Sequence, residues 1–192
     1  ESNPVLLRAI RSMLQVAVPI FVFVIGVSNP LGAQMDHAKS LAPYVASPQN
    51  IVERMLEAAE LKPGETVYDL GCGDGRILFT AAQRFKAKAV GVELNHKLVG
   101  QVQDSINRQG LQNSVSIIEA NLLEVDLSTA DVVTLYLLTD SNSKLRPKLE
   151  KYLKPGTRVV SHDFEIRGWK PVQVAEVQAN RRNHKIYVYR VG

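Results

Sequence analysis

The octapeptide Asp69-Leu70-Gly71-Cys72-Gly73-Asp74-Gly75-Arg76 constrains the fold of this chain more than any other segment. Thr66-Val67-Tyr68-Asp69-Leu70 before it reads as a short strand. Arg76 to Phe85 after it reads as a helix, with Ile77, Leu78, Ala81, Ala82 and Phe85 on one face. Alternate glycines between a strand and a helix let the backbone turn tightly and let a ligand approach the main chain. The helix N-terminus behind the turn favours a negative group. Glu93 ends the next strand, Ala89–Glu93, 22 residues after Gly71, where a carboxylate can grip the two hydroxyls of an adenosine ribose. The spacing is Gly-x-Gly-x-Gly, because Arg76 stands where a dinucleotide fingerprint has glycine; the lysine and Ser/Thr of a P-loop are absent too.

The surrounding pattern alternates helix and strand. Ser47-Pro48 reads as an N-cap and first helical residue, followed by Ile51, Val52, Met55, Leu56 and Ala59 on one face. A helix is expected over Asn95–Gln109, with Gly110 at its C′ position, and another over Ser143–Leu153. Further strands are expected at Val115–Ile118, Asp131–Leu138 and Thr157–Ser161. Val172–Val177 and Lys185–Val191 close the pattern around the turn Ala179–Asn183. This predicts an α/β fold with a doubly wound, mostly parallel sheet of seven strands. The last two strands have no helix between them and must pair antiparallel.

Residues 1–43 differ in character. Arg8 and Arg11 precede an apolar run of 15 residues, Met13–Val27, broken by Gln15 and Pro19 and shorter than the roughly 20 residues of a membrane span. Three readings stay open: a secretory signal peptide, an uncleaved membrane anchor contacting the bilayer through residues 9–27, or an organellar leader. The domain boundary is placed at residues 43/44, with one domain over 44–192. Formal charge is +4, too weak for a nucleic-acid signal without a clustered patch. Cys72 is the lone cysteine, so neither an intrachain disulfide nor a Cys-based zinc site can form. His37 and His184 are isolated in sequence, and no metal site is expected.

Val67-Tyr68-Asp69-Leu70-Gly71-Cys72-Gly73-Asp74-Gly75 and Val90-Gly91-Val92-Glu93 resemble the first two motifs of class I S-adenosylmethionine-dependent methyltransferases. Tyr44-Val45-Ala46-Ser47-Pro48-Gln49, Thr134-Leu135-Tyr136-Leu137-Leu138, Leu145-Arg146-Pro147-Lys148-Leu149 and Pro155–Phe164 narrow the resemblance. They are similar to small protein-lysine methyltransferases that include the mitochondrial enzyme for the ATP synthase c-subunit and broad-specificity archaeal relatives. The resemblance implies S-adenosylmethionine as cofactor. It implies Tyr44, Asp69, Gly71, Cys72, Gly73, Gly75, Glu93, Leu94, Asn121, Leu122 and Tyr136 as its binding residues, and a protein presenting lysine as substrate. Tyr136, Asn142, His162 and Asp163 lie near the ends of the fourth and fifth strands, where the acceptor site is expected. Tyr136 and His162 would orient the amine there, and Asp163 would take its proton or bind its charged form, unless it pairs with Arg167 or Lys170. Two rival functions remain: methylation of a small molecule or RNA, and a non-catalytic binding or assembly module. Since the cofactor is intracellular, membrane association with the catalytic domain on the cofactor-containing side is preferred to export or an organellar location. Oligomeric state is left open.

Overall fold

A computed structural model describes residues 45–192; the expected leader, the 43/44 boundary and Tyr44 lie outside them. The elements are α1 (Gln49–Ala58), β1 (Thr66–Leu70), α2 (Arg76–Phe85), β2 (Lys88–Glu93), α3 (His96–Arg108), β3 (Val115–Glu119), β4 (Val132–Leu135), α4 (Thr139–Tyr152), β5 (Arg158–His162), β6 (Gln173–Ala179) and β7 (Arg182–Arg190). The seven strands form one sheet of order β3-β2-β1-β4-β5-β7-β6. The first five strands are parallel, and β7 runs antiparallel to both β5 and β6. The strand order reverses between β1 and β4, so the crevice beyond their C-terminal ends is where this class of sheet takes its ligand.

Residues alternate between the two faces of the sheet because the side-chain period of a strand is two. Val67, Val132 and Val160 join a core with Ile51, Met55, Leu56, Leu78, Ala81, Val102 and Ile106 from α1, α2 and α3. Tyr68, Leu70, Val133, Leu135 and Val159 face the other way, against Leu145 and Leu149 of α4 and Leu122, Val125 and Leu127 of the β3–β4 connection. No regular helix covers that face between β3 and β4; the connecting loop does so with its own apolar side chains.

Four expectations are corrected. The fourth strand stops at Leu135 rather than Leu138, and α4 starts at Thr139 rather than Ser143. Leu135 is the last residue of β4 with a partner on either side, Leu70 of β1 and Ser161 of β5. Beyond it the glycine turn carries β1 away, and an apolar run cannot show where a neighbouring strand ends. Ser47 does not cap α1: Pro48 takes that position with no side-chain cap, and the Ser47 hydroxyl bonds instead to His162. The closing turn shrinks to Asn180-Arg181, both with positive φ, the backbone a two-residue hairpin requires.

The Gly-rich turn packs closely on β2. A Cβ at Gly91 would lie 2.6 Å from Leu78 Cδ1 and 2.7 Å from Cys72 Sγ, so the second strand can carry no side chain there. Gly91→Ala is therefore expected to lower unfolding free energy by about 1–3 kcal/mol in urea titration. Unchanged stability would show that this contact relaxes freely.

Candidate functional site

Gly71, Gly73 and Gly75 all have positive φ (85°, 56° and 77°), a backbone that residues with side chains rarely adopt. The turn is pinned to β2, where Gly71 and Cys72 N–H both donate to Val92 C=O at 2.8 and 3.1 Å. It is also pinned to Glu93. The Glu93 carboxylate accepts from Gly73 N–H at 3.0 Å through Oε2, and from Leu94 and Asn95 N–H at 2.9 Å through Oε1. Register explains this convergence: Leu70 of β1 pairs with Val92 of β2, so the glycine turn leaves β1 beside the end of β2.

Asp69 sits opposite Thr134 in the β1–β4 register and accepts a 2.7 Å hydrogen bond from its hydroxyl. The pair lies on the α1–α3 side of the sheet, in line with Val67 and Val132. Burial pushes the Asp69 carboxyl up to about 7 despite the Thr134 bond, and the nearby Glu93 and Asp74 carboxylates push the same way. Thr134 is a site residue that the sequence reading did not single out. Its signal was a lone hydroxyl in an otherwise apolar strand.

A pocket opens at this point, lined by Val45, Ala46, Ser47, Asp69, Gly71, Cys72, Gly73, Asp74, Arg76, Ile77 and Tyr136. Arg76 holds its rim: the guanidinium bonds Asp74 through Nε at 2.9 Å and reaches the Ser47 carbonyl at 2.6 Å. Ser47 is thereby tied to the rim of the glycine turn. Cys72 lines the pocket, but burial pushes its thiol up and leaves it unreactive. Leu94 is half-buried beside Glu93. Asn121 lies two residues beyond β3, next to the end of β2, where Ala120 N–H bonds Glu93 C=O at 3.0 Å. The Asn121 Oδ1 already accepts from Leu123 N–H at 3.0 Å, and Leu122 is buried in the core. Of the expected cofactor residues described here, Gly75, Glu93, Leu94, Asn121 and Leu122 do not line the pocket described above.

The four expected acceptor-site residues lie close together in chemically different settings. Tyr136 is half-buried and lines the pocket, its ring stacked on His162 at 3.9 Å between centroids. Burial, and then the Asp163 carboxylate, raise its phenol; Arg182 beside the hydroxyl opposes this. His162 is fully buried, and both of its ring nitrogens are engaged, Nδ1 with Ser47 Oγ at 2.8 Å and Nε2 with His184 Nδ1 at 2.9 Å. Burial pushes its imidazole well below the usual range, only partly offset by Asp163. Both ring nitrogens of His162 are thus engaged within the protein, in contrast to the expectation that they face the amine. Asn142 is likewise fully buried: its amide N–H groups hold Ser161 Oγ and the Phe164 and Glu165 carbonyls. It ties down the turn after β5, while its buried Oδ1 has no hydrogen-bond partner among the described residues.

Asp163 pairs with neither Arg167 nor Lys170. Its carboxylate takes Arg182 at 2.7 Å, His184 at 2.9 Å and Lys185 N–H at 2.9 Å. Burial alone would raise its carboxyl, but the Lys185 N–H and the imidazoles hold it below its ordinary value. His184, expected to be isolated, is buried in this cluster; β5–β7 pairing brings it there across 22 residues of sequence.

A sheet of this order, with an acidic strand end and a glycine turn at the switch point and an antiparallel penultimate position for the last strand, defines a class I methyltransferase. Residues 69–173 match the family described as the ANTKMT methyltransferase domain. A protein-lysine N-methyltransferase of Saccharolobus islandicus (strain REY15A) is 52% identical over 151 residues, 78% of this chain and 94% of the relative. The adenine nucleotide translocase lysine N-methyltransferase of Mus musculus is 38% identical over 132 residues, 69% of this chain and 57% of the relative. A crystal structure described as an RNA methyltransferase from Salinibacter ruber in complex with S-adenosyl-L-homocysteine superposes with a TM-score of 0.73 at 39% identity. It covers 77% of this chain and 94% of that one. The chain belongs to the ANTKMT methyltransferase-domain family.

Folded Asp69 binds its proton up to about pH 7, and an unfolded one only up to about 3.8, so the ligand-free fold retains an extra proton between those values. Its stability should fall as pH rises from about 4 to about 7, by on the order of a few kcal/mol, and flatten above. In urea titrations at several pH values, Asp69→Asn is expected to remove most of that slope. An identical slope in the variant would place the proton elsewhere.

Proposed function

We propose that the chain transfers methyl groups from S-adenosylmethionine to lysine side chains of proteins. The observation that carries this is the match along nearly the whole length of a protein-lysine N-methyltransferase, joined to a pocket lined by Asp69 and the glycine turn, with Glu93 bonded to that turn. The residues fit the cofactor: Asp69 offers a buried carboxylate to the cationic methionine end. Glu93 stands at the end of β2 for the ribose hydroxyls, and the glycine backbone between them leaves room for close approach. Bound there, the sulfonium supplies an already activated methyl group, so the protein's part is to position and desolvate the acceptor.

The acceptor amine must be neutral to attack, and its ordinary pKa is about 10.4. A partly apolar approach past Tyr136 and the exposed Leu138 favours the neutral form. Tyr136 is the acceptor-side residue proposed to touch the substrate; His162 and Asn142 hold the wall behind it. Asp163 is a proton acceptor only when Arg182 withdraws from it. Tyr44, Leu94, Asn121 and Leu122 remain proposed contacts along the cofactor's length.

RNA as acceptor is favoured by one observation, the description of the Salinibacter ruber structure. Incubation with methyl-labelled cofactor separates the two. Label is expected in acid-stable methyl-lysine of lysine-rich proteins, and not in RNA. Glu93→Ala should weaken cofactor binding about 10-fold or more, roughly 1.4 kcal/mol, and Tyr136→Ala should slow transfer by a larger factor than it weakens cofactor binding. Label in RNA alone would overturn the lysine assignment, and cofactor affinity unchanged in Glu93→Ala would overturn the ribose contact.

We further propose that residues 1–43 form a leader or anchor preceding a catalytic domain over 44–192. Residues 9–27 associate with a membrane and the catalytic domain lies on the cofactor-containing side. The basic start and apolar run of the sequence support this; among the described residues no helix is long and apolar enough to cross a membrane. Protease added outside sealed vesicles is expected to leave the catalytic domain intact when that outside is the cofactor-free side. Digestion under those conditions would place the domain on the other face.

A further inference from the structure

The geometry points to a divalent transition-metal site formed by His162, Asp163 and His184. His162 Nε2 lies 2.9 Å from His184 Nδ1, His184 Nδ1 lies 2.9 Å from Asp163 Oδ2, and the third edge is 3.5 Å. A triangle of that size lets one ion stand about 2.0–2.2 Å from all three atoms, at ligand–ion–ligand angles of roughly 90–115°. Two imidazoles and one carboxylate suit Zn²⁺, Co²⁺ or Ni²⁺ and leave positions open for water.

Proton placement in the metal-free protein supports this. Arg182 Nε–H donates to His184 Nε2 at 3.3 Å, which puts the proton of that ring on Nδ1. His162 then carries its own proton on Nδ1, donated to Ser47 Oγ at 2.8 Å. A single N–H is left facing two acceptors, the buried His162 Nε2 and the partly buried Asp163 Oδ2, which Arg182 also holds. An ion would satisfy all three lone pairs at once. The outer partners that orient ligands are already in place. Ser47 Oγ fixes the far nitrogen of His162, and Lys185 N–H fixes Asp163 Oδ1 at 2.9 Å.

Arg182 now supplies the positive charge, bonded to Asp163 Oδ2 at 2.7 Å. Coordination at His184 Nδ1 moves that ring's proton to Nε2, where Arg182 Nε–H points, so the ion and the guanidinium exclude each other. The Arg182 side chain is 61% exposed, while those of His162, His184 and Asp163 are 0%, 4% and 14% exposed, so the arginine is the group free to leave. An ion there would clamp the end of β5 to β7 beneath Tyr136, and would withdraw Arg182 from the Tyr136 hydroxyl.

The test is titration of the metal-stripped full chain with Co²⁺ followed by displacement with Zn²⁺. One equivalent of Co²⁺ is expected to give visible d–d absorption that Zn²⁺ abolishes. Arg182→Ala should bind about 10-fold more tightly, and His184→Ala and Asp163→Asn should each lose on the order of 100-fold. Thermal melting identifies variants that remain folded; should His184→Ala fail to fold, Asp163→Asn carries the comparison. No Co²⁺ or Zn²⁺ binding by either the wild type or Arg182→Ala would overturn the site. Equal affinity in the folded ligand variants would do the same, since the ion would then sit elsewhere.

Discussion

The ligand end of this protein depends on the pairing of β1 between β2 and β4. That pairing places Asp69 beside Thr134, swings the glycine turn over the end of β2 and delivers Tyr136 to the same crevice. Each strand end is fixed by its neighbour rather than by its own sequence. Moving β1 by one residue would turn Asp69 toward the α4 face and put Tyr68 or Leu70 in its place beside Thr134.

The crevice stores an electrostatic cost. A carboxyl group kept from water at the centre of a sheet, with two other carboxylates nearby, prefers to hold its proton in the empty protein. A cationic ligand reverses that preference. The site is thus built for a positively charged occupant, and the ligand-free fold bears the penalty.

The sequence made the frame legible where a local signal existed. Strand–glycine turn–helix, the acidic end of β2 and the helical stripes of α1 and α2 all reappear, and Asn95 caps α3 by accepting from Lys97 and Leu98 N–H. The end of β4 and the start of α4 were not legible, because Tyr136-Leu137-Leu138 is as apolar as the strand before it. The roles of Ser47 and His184 were hidden for another reason. Ser47 is 115 residues from the histidine it bonds, and His184 meets its partners only through antiparallel register. A spacing rule finds ligands on one element, and here the cluster spans β5, its following turn and β7. Whether a polar side chain faces a ligand or a buried neighbour is likewise a property of the packing, as His162 and Asn142 both illustrate.

The placement of β7 also bears on how the chain reaches this state. It comes later in sequence than β6 yet lies between β6 and β5. β6 therefore has nothing to pair with until β7 exists. β6 can join the sheet only with or after β7, to which the two-residue Asn180-Arg181 turn ties it as a hairpin. Until that hairpin docks, the edge of β5 stays open, His162 lacks His184, and the wall behind Tyr136 is unfinished. During synthesis the β1–β2 end of the sheet can therefore assemble early, while the wall behind Tyr136 must wait for the last strand pair.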